Sequence, residues 1–141
     1  MPISQHVGVY GIWRVEGSLV LVRKTRGPYT GLLDLPGGSP EPGETIEETL
    51  ARELREETGV ELVAHAEPRA FSFHVDRDSR GEPIDFQHRG WIAEVEVRGR
   101  LRLDIVDEDV AGATLLEAGT SAGVSPLVRE ALRLLPDGLS H

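Results

Sequence analysis

The 141-residue chain contains no cysteine, which excludes a disulfide framework, a thiol nucleophile and a thiolate zinc site, and makes a reducing cytoplasm the expected location. No apolar run approaches the length of a membrane span, and the opening MPISQHVGVY lacks the basic start and long apolar stretch of a secretory signal. A cytoplasmic protein with no membrane partner is expected. Positive charge is also scarce: 15 Lys and Arg against 24 Asp and Glu give a formal net charge of −9. That balance argues against a protein that grips a nucleic-acid polymer through its phosphates. It leaves room for a small phosphorylated ligand if a divalent cation reverses the field locally. The five histidines, at 6, 65, 74, 88 and 141, show no ligand spacing, so no zinc centre is expected. The run Asp76 to Gly81 echoes a calcium loop, but Arg80 stands at the third ligand position and Gln87 at the closing one. No internal repeat, low-complexity tract or long linker divides the chain, and its length fits one domain over residues 1–141.

What is present is concentrated between Gly38 and Val60, GSPEPGETIEETLARELREETGV. Pro40, Pro42 and Gly43 force a loop, Thr45 with Glu48 three residues on forms a capping box, and Gly59 is the expected helix stop. With Glu53 at zero and about 100° per residue, Ile46 falls near about 20°, Glu57 about 40°, Leu50 about 60° and Leu54 about 100°, with Glu56 flanking at about −60°. The inward stripe starts apolar and turns acidic. Clustered carboxylates facing inward repel one another and resist ionising, a conflict that a hard divalent cation resolves. An incomplete set of oxygen ligands suits Mg²⁺ or Mn²⁺, which complete their shell with water and substrate phosphates.

Around this segment, His6 to Val15 and Ser18 to Arg23 read as a hairpin about Glu16-Gly17, and Arg26 to Gly31 as a loop. Leu32 to Leu35 then leads into a turn at Pro36-Gly37-Gly38. Strands are expected over Glu61 to Glu67, Arg69 to Val75, Phe86 to Val97 and Ala113 to Leu116, and an amphipathic helix over Ser125 to Leu135 with Pro126 in its first turn. The order gives an α/β or α+β sandwich with a mixed sheet. Arg23, Lys24 and Arg26, and Tyr29 in the following loop, are candidates to meet a phosphate and a base. Phe71, Phe73, Phe86 and Trp91 read as core.

Gly38, five residues, Glu44, seven residues, Arg52-Glu53-Leu54, one residue, Glu56-Glu57, one residue, Gly59-Val60 resembles the complete signature of the Nudix hydrolases. The resemblance implies the family's α/β/α sandwich with a central mixed β-sheet. It implies that Glu53, Glu56 and Glu57 bind divalent metal, joined by the backbone carbonyl of Gly38, and that Arg52 and Glu44 support the catalytic carboxylate. It also implies hydrolysis of a phosphoanhydride in a nucleoside diphosphate linked to a group X, with a small-molecule nucleotide as partner. A monomer or homodimer is expected. Glu53 is the first choice of general base. Outside the box the alternatives are Glu94, Glu96, Asp107, Glu108 and Asp109, of which Glu108 is preferred as a further metal or catalytic acid. Markers of several subgroups are absent: Val75 stands about where ADP-ribose hydrolases carry a proline, Asp76 to Asp78 about where diadenosine polyphosphate hydrolases carry a tyrosine, and no SQPWPFPxS motif follows. Elimination leaves a MutT-like (deoxy)nucleoside triphosphate pyrophosphohydrolase. The alternative is a catalytically silent Nudix fold that senses a nucleotide or mediates an interaction.

Overall fold

A computed structural model describes residues 4–117, 119–120 and 123–135. In chain order the elements are β1 (Ser4–Ile12), β2 (Arg14–Val15), β3 (Ser18–Lys24), β4 (Leu33–Asp34), β5 (Gly37–Gly38), α1 (Ile46–Thr58), β6 (Glu61–His65), β7 (Arg69–Arg77), β8 (Pro83–Arg98), β9 (Val110–Leu116) and α2 (Pro126–Leu134). No helix among the described residues is long and apolar enough to cross a membrane.

The period of two along each strand sends alternate residues to opposite faces. From β1, Val9 joins Leu50 and Leu54 of α1, with Trp13, Val20, Val60 and Ala93 beside them. Tyr10 and Ile12 point the other way, into a second cluster with Leu19, Leu21, Ile92 and the α2 residues Leu127, Val128 and Ala131. One helix therefore covers each face, giving the expected α/β/α sandwich. Its β-layer consists of two sheets. The first runs β5-β1-β8-β6 with β7 also on β8, and the second runs β2-β3-β4 with β9 on β3. Among the described strands only β1 and β8 pair in parallel, in register from Ser4↔Phe86 to Ile12↔Glu94. The 16-residue β8 is the spine, holding β1 on one edge and both β7 and β6 on the other.

Two local expectations change. The hairpin is confined to Arg14–Val15 against Ser18–Leu19, around Glu16 and Gly17 with φ of 51° and 85°, the two positive values of a type I′ turn. The rest of the anticipated first strand leaves for β8, because its alternation fixes its faces and not its partner. Gly37 and Gly38 are likewise not a turn. They form β5 and pair with Tyr10 and Val9. A Cβ on Gly37, whose φ is 150°, would lie 2.1 Å from the Val9 carbonyl oxygen, so glycine serves close strand approach here. The connection after β7 is a turn in which the Asp78 carboxylate accepts from the amides of Arg80 and Glu82 at 2.9 and 3.0 Å, a tie of the Asx type rather than a calcium loop.

Candidate active site

Helix α1 is delivered as its end residues require. Thr45 Oγ1 accepts from the Glu48 amide at 3.1 Å while the Glu48 carboxylate accepts from the Thr45 amide at 3.0 Å, satisfying two otherwise unpaired donors. Gly59 closes the helix in the left-handed conformation at φ 79°. Between these ends the stripe changes character as its angles require: Leu50 and Leu54 are fully buried, the Glu57 residue is 2 % exposed, and the side chains of Glu53 and Glu56 are 13 % and 51 % exposed.

β5 lies against this acidic end. The Gly37 amide donates to Glu57 Oε1 at 3.0 Å. A Cβ on Gly38 would come within 2.8 Å of the Glu53 carboxylate, so any other residue there would push that carboxylate aside. Burial raises the Glu57 carboxyl well above the ordinary range, and Glu53 and Asp107 add to the rise. Burial also raises Glu53, with Glu56 and Asp109 contributing against the opposing pull of Arg52.

One guanidinium holds the group together. Arg52 donates through Nε and Nη2 to both Glu44 oxygens at 2.7 and 2.9 Å, through Nη1 to Glu53 Oε1 at 2.9 Å and Glu56 Oε2 at 3.3 Å, and through Nη2 to the Ser39 carbonyl at 3.1 Å. The two-pronged contact is the rigid form of an arginine-carboxylate pair. It holds the Glu44 carboxyl down, to about 2. Glu44 also accepts from the Glu41 amide and from Thr49 Oγ1, so the loop before α1 is tied to the helix.

Among the described residues no group of three or more His, Cys, Asp or Glu side chains is placed so that it could hold a metal ion as it stands. The donor set nevertheless fits a hard divalent cation. Glu53 and Glu57 are hard oxygen donors whose proton affinity burial and mutual repulsion have raised, and a single guanidinium faces the carboxylates of residues 44, 53 and 56. An incomplete protein shell is what Mg²⁺ ordinarily occupies.

Glu53, Arg52 and Gly38 line a cavity of about 410 Å³ together with Lys24, Arg26, Asp109, His6, Tyr10, Tyr29, Phe86 and His88. Of the basic and aromatic candidates, Lys24, Arg26 and Tyr29 reach this wall. Arg23 instead donates to the Gly31 carbonyl at 2.9 Å. Arg26 pairs with Asp109 and, at 3.5 Å, with Glu108. Glu108, 84 % exposed at its side chain, is not part of the wall, whereas its neighbour Asp109 is. Glu94 and Glu96 line a separate groove with Trp13 and Arg14. Phe86 belongs both to the core and to the wall.

Three wall residues were not among the candidates read from the sequence. Asp34 is 3 % exposed and accepts from Ser125 Oγ, the N-cap of α2, at 2.6 Å; burial raises its carboxyl. His88 and Tyr10 meet in the interior, 78 positions apart. Parallel register sets His6 opposite His88 and Gly8 opposite Gly90, so histidines scattered in sequence share one face. The only hint was a period of two in His6, Gly8, Tyr10 and in Phe86, His88, Gly90.

The NUDIX domain profile matches residues 3–129. Among curated proteins, the chain is 38 % identical over 78 residues to the ADP-ribose pyrophosphatase of Methanocaldococcus jannaschii, covering 55 % of this chain and 46 % of that protein. It is 41 % identical over 71 residues to the nucleoside triphosphatase NudI of Enterobacter sp., covering 50 % and 45 %. The chain thus spans under half the length of these relatives in the matched region. Among solved structures, the MutT protein of Methanosarcina mazei Go1 superposes with a TM-score of 0.72 at 18 % identity, covering 100 % of this chain and 99 % of that one. That likeness is one of fold.

Proposed function

The chain belongs to the NUDIX domain family, and from that premise we propose that it is a metal-dependent hydrolase of a phosphoanhydride bond in a nucleotide, with a (deoxy)nucleoside triphosphate as substrate and a nucleoside monophosphate and pyrophosphate as products. The observation that carries this reading is the continuity of the cavity: the box carboxylate Glu53 and the basic residues Lys24 and Arg26 share one wall with Tyr29 and Phe86. A nucleotide carries both kinds of partner for such a lining, charged phosphates and an aromatic base.

In this reading Glu53, Glu56 and Glu57, with the Gly38 carbonyl, hold a Mg²⁺ or Mn²⁺ ion, which when bound neutralises phosphate oxygens and acidifies water. Lys24 and Arg26 receive the phosphate chain, Arg26 exchanging Asp109 for a phosphate oxygen. Glu53 takes a proton from the attacking water. Arg52, anchored by Glu44, fixes the rotamer of Glu53 and acts as a positioning residue. A second reading, hydrolysis of a nucleoside diphosphate sugar, is favoured by the similarity to a protein named ADP-ribose pyrophosphatase, against the absence of that group's proline at Val75.

Phosphate and pyrophosphate release over a panel of nucleoside triphosphates and nucleoside diphosphate sugars, with Mg²⁺ or Mn²⁺, tests both readings. Glu53→Gln is expected to lower kcat by about 10²- to 10⁴-fold, the range for loss of a general base. Wild type and variant equally inert across the panel while still binding nucleotide would leave the silent-domain alternative.

A further inference from the structure

We infer that Thr49, on the buried side of α1, is a positioning residue for the hydrolysis: its hydroxyl fixes Glu44, which fixes Arg52, which holds the Glu53 carboxylate. The inference rests on the hydrolase reading above and adds a residue that the signature from Gly38 to Val60 leaves unassigned.

Thr49 is fully buried, and its Oγ1 lies 3.0 Å from Glu44 Oε1 and 3.0 Å from the Thr45 carbonyl oxygen. A threonine inside a helix ordinarily donates to the carbonyl four residues back. Thr58, equally buried in the same helix, does only that among the described residues, its Oγ1 donating to the Leu54 carbonyl at 2.7 Å. At Thr49 the back-bond is longer and a carboxylate oxygen stands beside it. The Thr45 carbonyl, moreover, already accepts the Thr49 amide at 3.0 Å. Two oxygens at this separation, one carrying carboxylate charge, repel unless a proton lies between them, so the hydroxyl proton is drawn to Glu44, the stronger acceptor. The contact adds to the Arg52 and Glu41 bonds that keep the Glu44 carboxyl ionised.

The effect reaches Glu53 through a guanidinium whose donors are all engaged. Arginine has five N–H donors in one rigid plane. Arg52 makes five contacts with them, two to Glu44 and one each to Glu53, Glu56 and the Ser39 carbonyl. Because the plane is rigid, the place of Glu44 sets the direction of Nη1, and with it the place of Glu53 Oε1. Besides Arg52, Glu44 is held by the Glu41 amide at 2.8 Å and by Thr49. Of these two only Thr49 belongs to α1, so it ties the Glu44 carboxylate to the helix that carries Glu53.

Thr49→Val and Thr49→Ala remove the hydroxyl, Thr49→Ser keeps it, and Thr58→Val removes a back-bond alone. In the wild type and Thr49→Ser the Nη protons of Arg52 are expected to give separate NMR signals, as an arrested guanidinium does; in the two hydroxyl-free variants these signals are expected to average. With nucleoside triphosphates and Mg²⁺, kcat is expected to fall about threefold or more in the hydroxyl-free variants while KM stays within about twofold. Thr49 stands one contact further out than the partners of metal ligands whose loss costs about 10- to 100-fold. Thr49→Ser and Thr58→Val are expected to keep kcat within about twofold of the wild type. Averaged Arg52 signals in the wild type, separate signals in the hydroxyl-free variants, a fall in kcat below about threefold, or an equal fall in Thr49→Ser or Thr58→Val would overturn the inference. If Thr49→Val does not fold, Thr49→Ala, with its higher helix propensity, decides. Turnover by the wild type with kcat unchanged in the hydroxyl-free variants refutes this inference alone. No turnover by the wild type, with the Arg52 signals responding as expected, refutes the hydrolase reading alone.

Discussion

Glu57 is the residue at which folding and the proposed chemistry pull hardest against each other. It occupies a position that α1 gives to the core, beside Leu54, and it retains one backbone donor, the Gly37 amide. Its folded-state pKa is raised by burial first and by Glu53 next. The sign is therefore that of a group favouring the protonated form when folded: it stabilises at low pH and detracts from stability as pH rises above its unfolded value. Glu57→Gln retains an oxygen for the Gly37 amide and removes the charge. In chelator-treated protein near pH 7 it is expected to raise stability by about 1–3 kcal/mol, read from urea unfolding. Saturating Mg²⁺ is expected to stabilise the wild type in proportion to its binding and the variant by much less. A variant less stable than the wild type without metal would contradict this account of Glu57.

At the scale of elements, the site depends on two strand pairings that sequence periodicity did not announce. β5 brings Gly37 and Gly38 to the acidic end of α1, and the parallel pairing of β1 with β8 assembles His6, Tyr10 and His88. That second pairing passes through a close backbone approach, where a Cβ on Gly90, at φ 148°, would lie 1.8 Å from the Gly8 carbonyl oxygen. No side chain can yield there, because the obstacle is backbone. Gly90→Ala is expected to cost about 3 kcal/mol or more, at the upper end of single-substitution effects. Hydrogen exchange should show the loss concentrated in β1 and β8. Gly43→Ala, at a positive φ of 82° with nothing within 4 Å of a Cβ, is the contrasting control, expected to cost about 1 kcal/mol from backbone conformation alone.

Over the whole molecule, buried polar groups make stability depend on pH in opposing ways. Burial holds the His88 imidazole down to about 3 in the fold, below its ordinary value near 6.5. Between those values the unfolded chain binds a proton that the folded chain refuses. This contribution is fully present above pH 6.5 and is lost as pH falls toward 3. Its limiting slope is about 1.4 kcal/mol per pH unit. The raised carboxyls of Asp34, Glu53 and Glu57 act with the opposite sign, so a difference measurement is needed to isolate it. Unfolding free energies of wild type and His88→Gln at pH 7 and pH 5 are expected to diverge, with the wild type losing more on acidification by up to about 2 kcal/mol. Equal losses would mean that His88 is protonated within the fold.

Much of this was legible in the chain. The caps of α1, the turn of its stripe from Leu50 to Glu57, the spacing that resembles a Nudix signature and the helix after Ser125 all depend on residues within a few positions of one another, where helix geometry dictates which side chains meet. The box carboxylates were found in this way and Arg52 with Glu44 through the resemblance, and in the structure Arg52 contacts Glu44, Glu53 and Glu56. Strand partners, the role of Gly37, the choice of Asp109 rather than Glu108 for the cavity wall, and the meeting of Tyr10 with His88 belong to another order of information. Alternation tells a strand which side chains share a face and leaves its neighbour and register free. Sequence alone determined the acidic helix and its resemblance to the Nudix signature. Only the tertiary structure decided what stands opposite that helix, because contacts between residues tens of positions apart are set by how the two sheets and two helices pack together.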